Sequence, residues 1–252
     1  MGRFDVVDTL SGLRLSGDDG LPSDSASVIV CIFTNSNAMP TLIVLLHGVG
    51  QAPADMAPLA DLVAAHDPHA AVAAPPAAWP YDLGPAGHQW FSVDGITEEN
   101  RPGRIRAALP AFVATVEALQ RAHGAGPAET MLAGFSQGAL MALAACERRF
   151  LARHVVAIAG RYVPLPEAWE RRTTVHLVHG RHDGTVSVQY SERAFERLTM
   201  LGADVRLDVV PRAVHRLAPP LLDRAWDAVC AGLQAAPQRT PAQTGNNTKL
   251  VS

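Results

Sequence analysis

Cysteine is scarce in this chain: three residues in 252, Cys31, Cys146 and Cys230. Their number is odd, they lie far apart, and no C-x-x-C pair occurs, so a disulfide framework is excluded and a reducing compartment is indicated. Cys31 and Cys146 sit in apolar runs and read as small core residues. Charge of one sign is also lacking. Twenty-one Lys and Arg against 24 Asp and Glu leave a formal −3, with no basic block. That pattern argues against nucleic acid or an anionic membrane as the main partner. The longest apolar runs are far too short to span a bilayer, so no stable membrane insertion is expected. Met1-Gly2-Arg3-Phe4-Asp5 leads into acidic, Gly/Ser-rich sequence rather than an apolar signal core. Val6 stands where myristoylation prefers Ser or Thr. These absences predict a soluble cytoplasmic protein.

What is present is core-forming sequence. Hydrophobic residues make up 48% of the chain. Its length suits one large domain that buries roughly 70–75% of the unfolded surface. We expect that domain over residues 1–236, with a weakly patterned stretch at 1–26 and a polar, disordered tail at 237–252. An edge strand is suggested at residues 4–7. Apolar runs at residues 27–33, 42–46, 70–74, 130–133, 154–159 and 174–178 read as strands, and 204–210 as an alternating edge-side strand. Helical spacing appears at residues 53–66, 101–123, 139–145, 187–200 and 219–233. Residues 77–100 form a long connection whose Trp79, Tyr81, Trp90 and Phe91 favour an ordered loop. Alternating, wholly apolar strands and helices define an α/β fold: a mostly parallel sheet with helices on both faces, its chemistry beyond the carboxyl ends of the strands.

One pentapeptide organises the chain: Gly134-Phe135-Ser136-Gln137-Gly138. It joins an apolar strand to an apolar helix, the context of a nucleophile elbow. The plainer alternative is a serine in a tight turn, so partners must be found elsewhere. Asp183 follows one later strand and His215 follows the last, in the order Ser, acid, His. Each has an ordinary alternative: Asp183 could cap the helix near residue 187, and a lone histidine after a strand is commonly a surface residue. The joint arrangement favours chemistry. A serine hydroxyl needs a base to take its proton, histidine titrates near neutrality, and a carboxylate fixes the imidazole tautomer. Activity should therefore fall on acidification as the base takes up a proton. An oxyanion hole needs two backbone N–H donors. Gln137 supplies one, directly after the serine, and Val49 in Leu46-His47-Gly48-Val49-Gly50-Gln51 supplies the other.

The remaining histidines need weighing. His176, His179 and His182 form an H-x-x-H-x-x-H run, but residues three apart on a strand face opposite ways, so no metal is expected. His47 is read as a residue that holds the oxyanion loop, and His88 as exposed.

Taken together, the L-H-G-V-G loop, Gly134-Phe135-Ser136-Gln137-Gly138-Ala139, His179-Gly180-x-x-Asp183 and His215 resemble the phospholipase/carboxylesterase family of α/β-hydrolases. The likeness spans roughly residues 40–235. The segment Gln89-Trp90-Phe91-Ser92-Val93-Asp94-Gly95-Ile96-Thr97-Glu98-Glu99-Asn100-Arg101 is similar to a small bacterial carboxylesterase branch, related to the acyl-protein thioesterases. The resemblance implies hydrolysis of short to medium acyl esters through an acyl-enzyme intermediate, with no cofactor. It implies Ser136, Asp183 and His215 as triad and Val49 and Gln137 as oxyanion donors. Trp90 and Phe91 are expected to wall the substrate pocket. The partner would be a small-molecule ester or thioester, and a homodimer is compatible with it. The thioesterase branch has Asp where Gln51 stands and Trp-Phe-Asp where Trp90-Phe91-Ser92 stands, which counts against protein depalmitoylation. Acyl-thioesterase and lysophospholipase activities are the close rivals; a non-catalytic binding protein on a hydrolase scaffold is the distant one.

Overall fold

The computed structural model describes residues 30–31, 42–68 and 70–234. The expected edge strand at 4–7, most of the strand at 27–33, and the tail lie outside them. In chain order the elements are β1 (Val30–Cys31), β2 (Leu42–Leu46), α1 (Ala57–His66), β3 (Ala71–Ala73), β4 (Trp79–Pro80), β5 (His88–Gln89), α2 (Arg101–Ala122), β6 (Thr130–Phe135), α3 (Gln137–Cys146), β7 (His154–Ile158), β8 (Thr174–Gly180), α4 (Gln189–Met200), β9 (Val205–Val210) and α5 (Leu221–Gln234). The helical stretch that begins at Pro53 opens with a 3-10 turn, Pro53–Met56, before α1.

The main sheet has the order β1-β3-β2-β6-β7-β8-β9. Every neighbouring pair from β3 to β9 is parallel; only β1 runs antiparallel, along β3 at the edge. The strands are apolar throughout because both faces are covered. In β2, Leu42, Val44 and Leu46 point into one core layer with Phe112 and Val116 of α2, Leu140 of α3 and Leu198 of α4. Ile43 and Leu45 point into the other, with Leu59 and Val63 of α1 and Ala225 and Val229 of α5. This is the period-two alternation of a strand expressed as two separate cores. β6 is the central strand of the seven, flanked by β2 and β7, so the residues that leave its carboxyl end emerge at the middle of the sheet. α3 is buried on nearly all of its surface, which explains a sequence with no polar stripe. Cys146 closes that helix; burial pushes its thiol up to about 12, and it behaves as a core residue.

No helix among the described residues is long and apolar enough to cross a membrane. A cavity of about 90 Å³ opens at the amino ends of β7 and β8, beside His154 and His176. It lies at the opposite end of the sheet from the serine elbow.

His154 makes stability sensitive to acid. It is 8% exposed, and its Nε2 has no hydrogen-bond partner among the described residues. Burial, reinforced by the positive charge of Arg153, holds its pKa down to about 4, while Asp204 acts in the opposite sense. Burial lowers His47, His123 and His179 in the same direction. An unfolded histidine titrates near pH 6.5, so below that value the unfolded chain binds a proton that the folded chain refuses until about pH 4. The stability is complete above the unfolded pKa and is lost as pH falls through that window, with His154 alone contributing about 3 kcal/mol across it. The thermal midpoint should therefore drop steadily between pH 7 and pH 4.5, and His154→Gln should flatten the slope. A wild-type midpoint independent of pH over that range would contradict this account.

Candidate active site

The elbow is built from a strand that ends too close to the helix that follows it. β6 ends at Phe135, and Ser136 then adopts φ 54°, ψ −113°. A serine in this sparsely populated region costs about 1–3 kcal/mol, which the surrounding packing must offset. The serine N–H is fixed by a hydrogen bond to the Ile158 carbonyl of β7, 2.8 Å away. The flanking glycines are required by contact. A Cβ on Gly134 would lie 2.5 Å from the Ala139 nitrogen, and one on Gly138 would lie 2.3 Å from the Leu46 oxygen.

The three residues at the carboxyl ends of β6, β8 and β9 come together. Ser136 Oγ lies 3.0 Å from His215 Nε2. His215 Nδ1 lies 2.7 Å from Asp183 Oδ2. Carboxylate oxygens accept, so Nδ1 carries the proton, Nε2 is bare, and the serine hydroxyl donates to it. The imidazole rests on Phe135, with ring centroids 4.9 Å apart. Asp183 caps a turn rather than the helix expected near residue 187, whose start carries no side-chain cap bond. Its Oδ1 accepts the Thr185 and Val186 N–H groups at 2.9 and 2.7 Å, which is the turn-capping role, and its Oδ2 meets the imidazole. Its side chain is fully buried.

His179 lies behind the aspartate. Its Nε2 donates to the Val186 carbonyl at 2.9 Å and faces Asp183 Oδ2 at 3.3 Å, while its Nδ1 accepts the Ser191 hydroxyl at 2.7 Å. Burial dominates its environment and favours the neutral ring. His176 turns instead to Asp208 on β9, 2.7 Å away, and His182 is exposed. The three histidines of that run thus have separate surroundings.

The loop after β2 lies against Ser136: a Cβ on Gly48 would meet Ser136 Cβ at 3.2 Å. Its donors are nearly all engaged. Gly48 N–H goes to Gln51 Oε1 at 2.7 Å. Gly50 N–H goes to the His88 carbonyl and Gln51 N–H to the Gly48 carbonyl. Val49 N–H has no acceptor among the described residues, and neither does Gln137 N–H in the first turn of α3. His47 braces the loop. Its Nε2 accepts the Ala77 N–H at 3.0 Å, so Nδ1 carries the proton and donates to the Gly48 carbonyl at 2.7 Å. Burial holds this ring in the neutral form that such bonding requires.

Three expectations need correction. Trp90 and Phe91 are 2% and 5% exposed. The Trp90 indole packs against Phe112 and His47 and donates to the His47 carbonyl at 2.9 Å. Its ring is a buried brace under the loop after β2 and has no open face for a substrate. Gln137 contributes more than a backbone N–H. Its buried side chain accepts the Trp90 N–H and donates to the Phe91 carbonyl, both at 2.8 Å, and so clamps the long connection onto the elbow. His88 is half-buried in β5, its ring edge-on to His47. A weak signal for these roles existed: a tryptophan and a glutamine bordering the two catalytic loops, each needing a polar partner once buried.

A parallel sheet carrying a strained serine at its central strand end, bonded through histidine to a buried aspartate, defines an α/β-hydrolase. Residues 28–227 match the phospholipase/carboxylesterase family model, and the chain belongs to that family. It is 42% identical to esterase YpfH of Escherichia coli (strain K12) over 177 residues, which cover 70% of this chain and 76% of that protein. The crystal structure of esterase PE8 superposes with a TM-score of 0.69 at 30% identity, covering 79% of this chain and 94% of the other. The Bacillus cereus carboxylesterase shares the fold, with a TM-score of 0.64 at 18% identity over 80% of this chain and 93% of its own. The protein is a carboxylesterase-type hydrolase.

Proposed function

We propose that this enzyme hydrolyses small-molecule carboxylic esters of short to medium acyl chains through a Ser136–His215–Asp183 triad. The observation that carries the reading is the continuous hydrogen-bonded chain from Ser136 Oγ through His215 to Asp183, at 3.0 and 2.7 Å, with the serine on a strained elbow. Ser136 Oγ attacks the ester carbonyl while His215 Nε2 takes its proton. The carbonyl oxygen becomes an oxyanion, received by the Val49 and Gln137 N–H groups. Collapse breaks the bond to the alcohol oxygen, which leaves with the proton from His215, and an acyl-serine remains. Water then attacks that ester with His215 again as base, and the acid departs. Asp183 holds the imidazole tautomer throughout.

The long connection at residues 77–100 supports shorter acyl chains. It is folded down onto the body by Gln137, and by Arg104 through the Ser92 and Asp94 carbonyls. The unpaired Cys146 and Cys230 support a cytoplasmic setting.

A fluorophosphonate probe labels only an activated serine. We expect one label per chain, on Ser136 by peptide mapping, and slower labelling while a butyrate ester is present in excess. Butyrate to octanoate esters should be turned over faster than palmitate. Label on another serine, or none, would sink the assignment.

A further inference from the structure

The segment Gly95-Ile96-Thr97-Glu98-Glu99-Asn100-Arg101 has no part in the triad, yet it meets Arg161, which follows the strand paired with that of Ser136. Arg161 stands three residues beyond Ile158, whose carbonyl holds the Ser136 N–H. Gly160, between them, lies so close to α3 that a Cβ there would fall 2.8 Å from Ala139 Cβ. Arg161 is therefore anchored on the catalytic end of the sheet, its Cα within about 10 Å of Ile158 by chain length alone. Its guanidinium lies over the Tyr190 ring at 4.6 Å and reaches Glu98 Oε1 at 2.5 Å. Arg101, the first residue of α2, points at the same oxygen from 3.4 Å. Three segments meet here: the loop before α2, the turn after β7 and the start of α4.

The cluster holds more positive charge and more donors than its one carboxylate can use. The two side chains are 12% and 29% exposed, whereas Glu98 is 58% exposed. Two guanidinium groups carry about ten N–H donors, yet the side-chain hydrogen bonds they make among the described residues both end on Glu98 Oε1. The Nε atoms of both arginines are buried with no partner. Arg101 also sits at a helix N-terminus, where a cation is electrostatically disfavoured unless an anion is close. A planar carboxylate matches the guanidinium fork and the charge excess together.

We propose that Arg161 and Arg101 form a carboxylate-binding subsite at the rim of the ester site, so that the preferred substrates are esters bearing a free acid at the end of the acyl chain. This rests on the esterase reading above and specifies its substrate class. Glu98 keeps the pair poised when no substrate is bound and gives way to the incoming carboxylate.

The test compares 4-nitrophenyl monoesters of glutaric, adipic and suberic acid with the neutral primary amides of the same chains. For at least one chain length, wild-type kcat/KM should favour the acid by about tenfold, the scale of a charge-assisted pair. Arg161→Gln should bring that ratio close to one while the amide substrate is turned over as before. Glu98→Gln should raise the ratio, because the competing carboxylate is gone. Arg101→Gln provides an independent variant, and the amide rate reports folding in each. A wild-type ratio near one at every length, or a ratio unchanged in both arginine variants, overturns the subsite. Turnover of the amides then leaves the esterase reading standing. Inactivity on every substrate overturns both.

Discussion

Ser136→Ala should lower kcat on a butyrate ester by at least about 10³-fold, with residual turnover set by the oxyanion donors alone. The change removes one oxygen. That oxygen is the proposed attacking atom and makes a single side-chain hydrogen bond, to His215 at 3.0 Å. A net hydrogen bond of this kind contributes about 1 kcal/mol, so the thermal midpoint should move by only a few degrees. The backbone strain at φ 54° is common to serine and alanine and cancels in the comparison. The measurement is steady-state kinetics on purified variant beside a melting curve. Activity within tenfold of wild type would remove Ser136 from the chemistry.

Gly138→Ala should act on the fold as well as on the rate. The added methyl would lie 2.3 Å from the Leu46 oxygen, 2.7 Å from the Leu46 carbonyl carbon and 2.8 Å from the His47 oxygen. All three atoms belong to the backbone of β2 and its exit, pinned by the ladder to β3 on one side and β6 on the other. No rotamer relieves the clash, so α3 must move away from β2. Overpacking against backbone costs about 3 kcal/mol at the upper end of its usual range. The same movement separates Gln137 from the Val49 loop, so even the folded fraction should turn over poorly. Gly103→Ala is the control: a Cβ there meets nothing within 4 Å, and in α2 it should be neutral or stabilising by up to about 1 kcal/mol. Denaturant titration of the two variants separates the effects. Equal midpoints for Gly138→Ala and wild type would refute the close approach of α3 to β2.

The parts of this protein that could be read from its sequence are those where a local pattern has one physical solution. Apolar runs such as Leu42–Leu46 and His154–Ile158 are buried on both faces only in a covered parallel sheet. The glycines around Ser136 marked a crossing too close for side chains, and the residues after β8 and β9 had to emerge at the same end of the sheet. The connection at residues 77–100 was opaque because it has no period. Nothing in its spacing says that Trp90 turns inward to His47, or that Gln137 reaches across to both Trp90 and Phe91. Those contacts join residues more than 40 positions apart. For Asp183 two readings competed; Oδ2 meets His215, whereas Oδ1 holds the Thr185 and Val186 N–H groups of a turn and caps no helix.

The register of β2 against β6 sets a length scale for the chemistry. Leu46 is paired with Gly134 across the ladder. Val49 and Gln137 each stand three residues beyond those partners. The two proposed oxyanion donors thus follow neighbouring parallel strands in equal step, and the strands themselves repeat at about 4.8 Å. A spacing of that origin is common to every molecule of the protein and indifferent to what the loops carry. Segments such as residues 92–100 are then free to diverge toward different esters, while the proposed caliper keeps its setting.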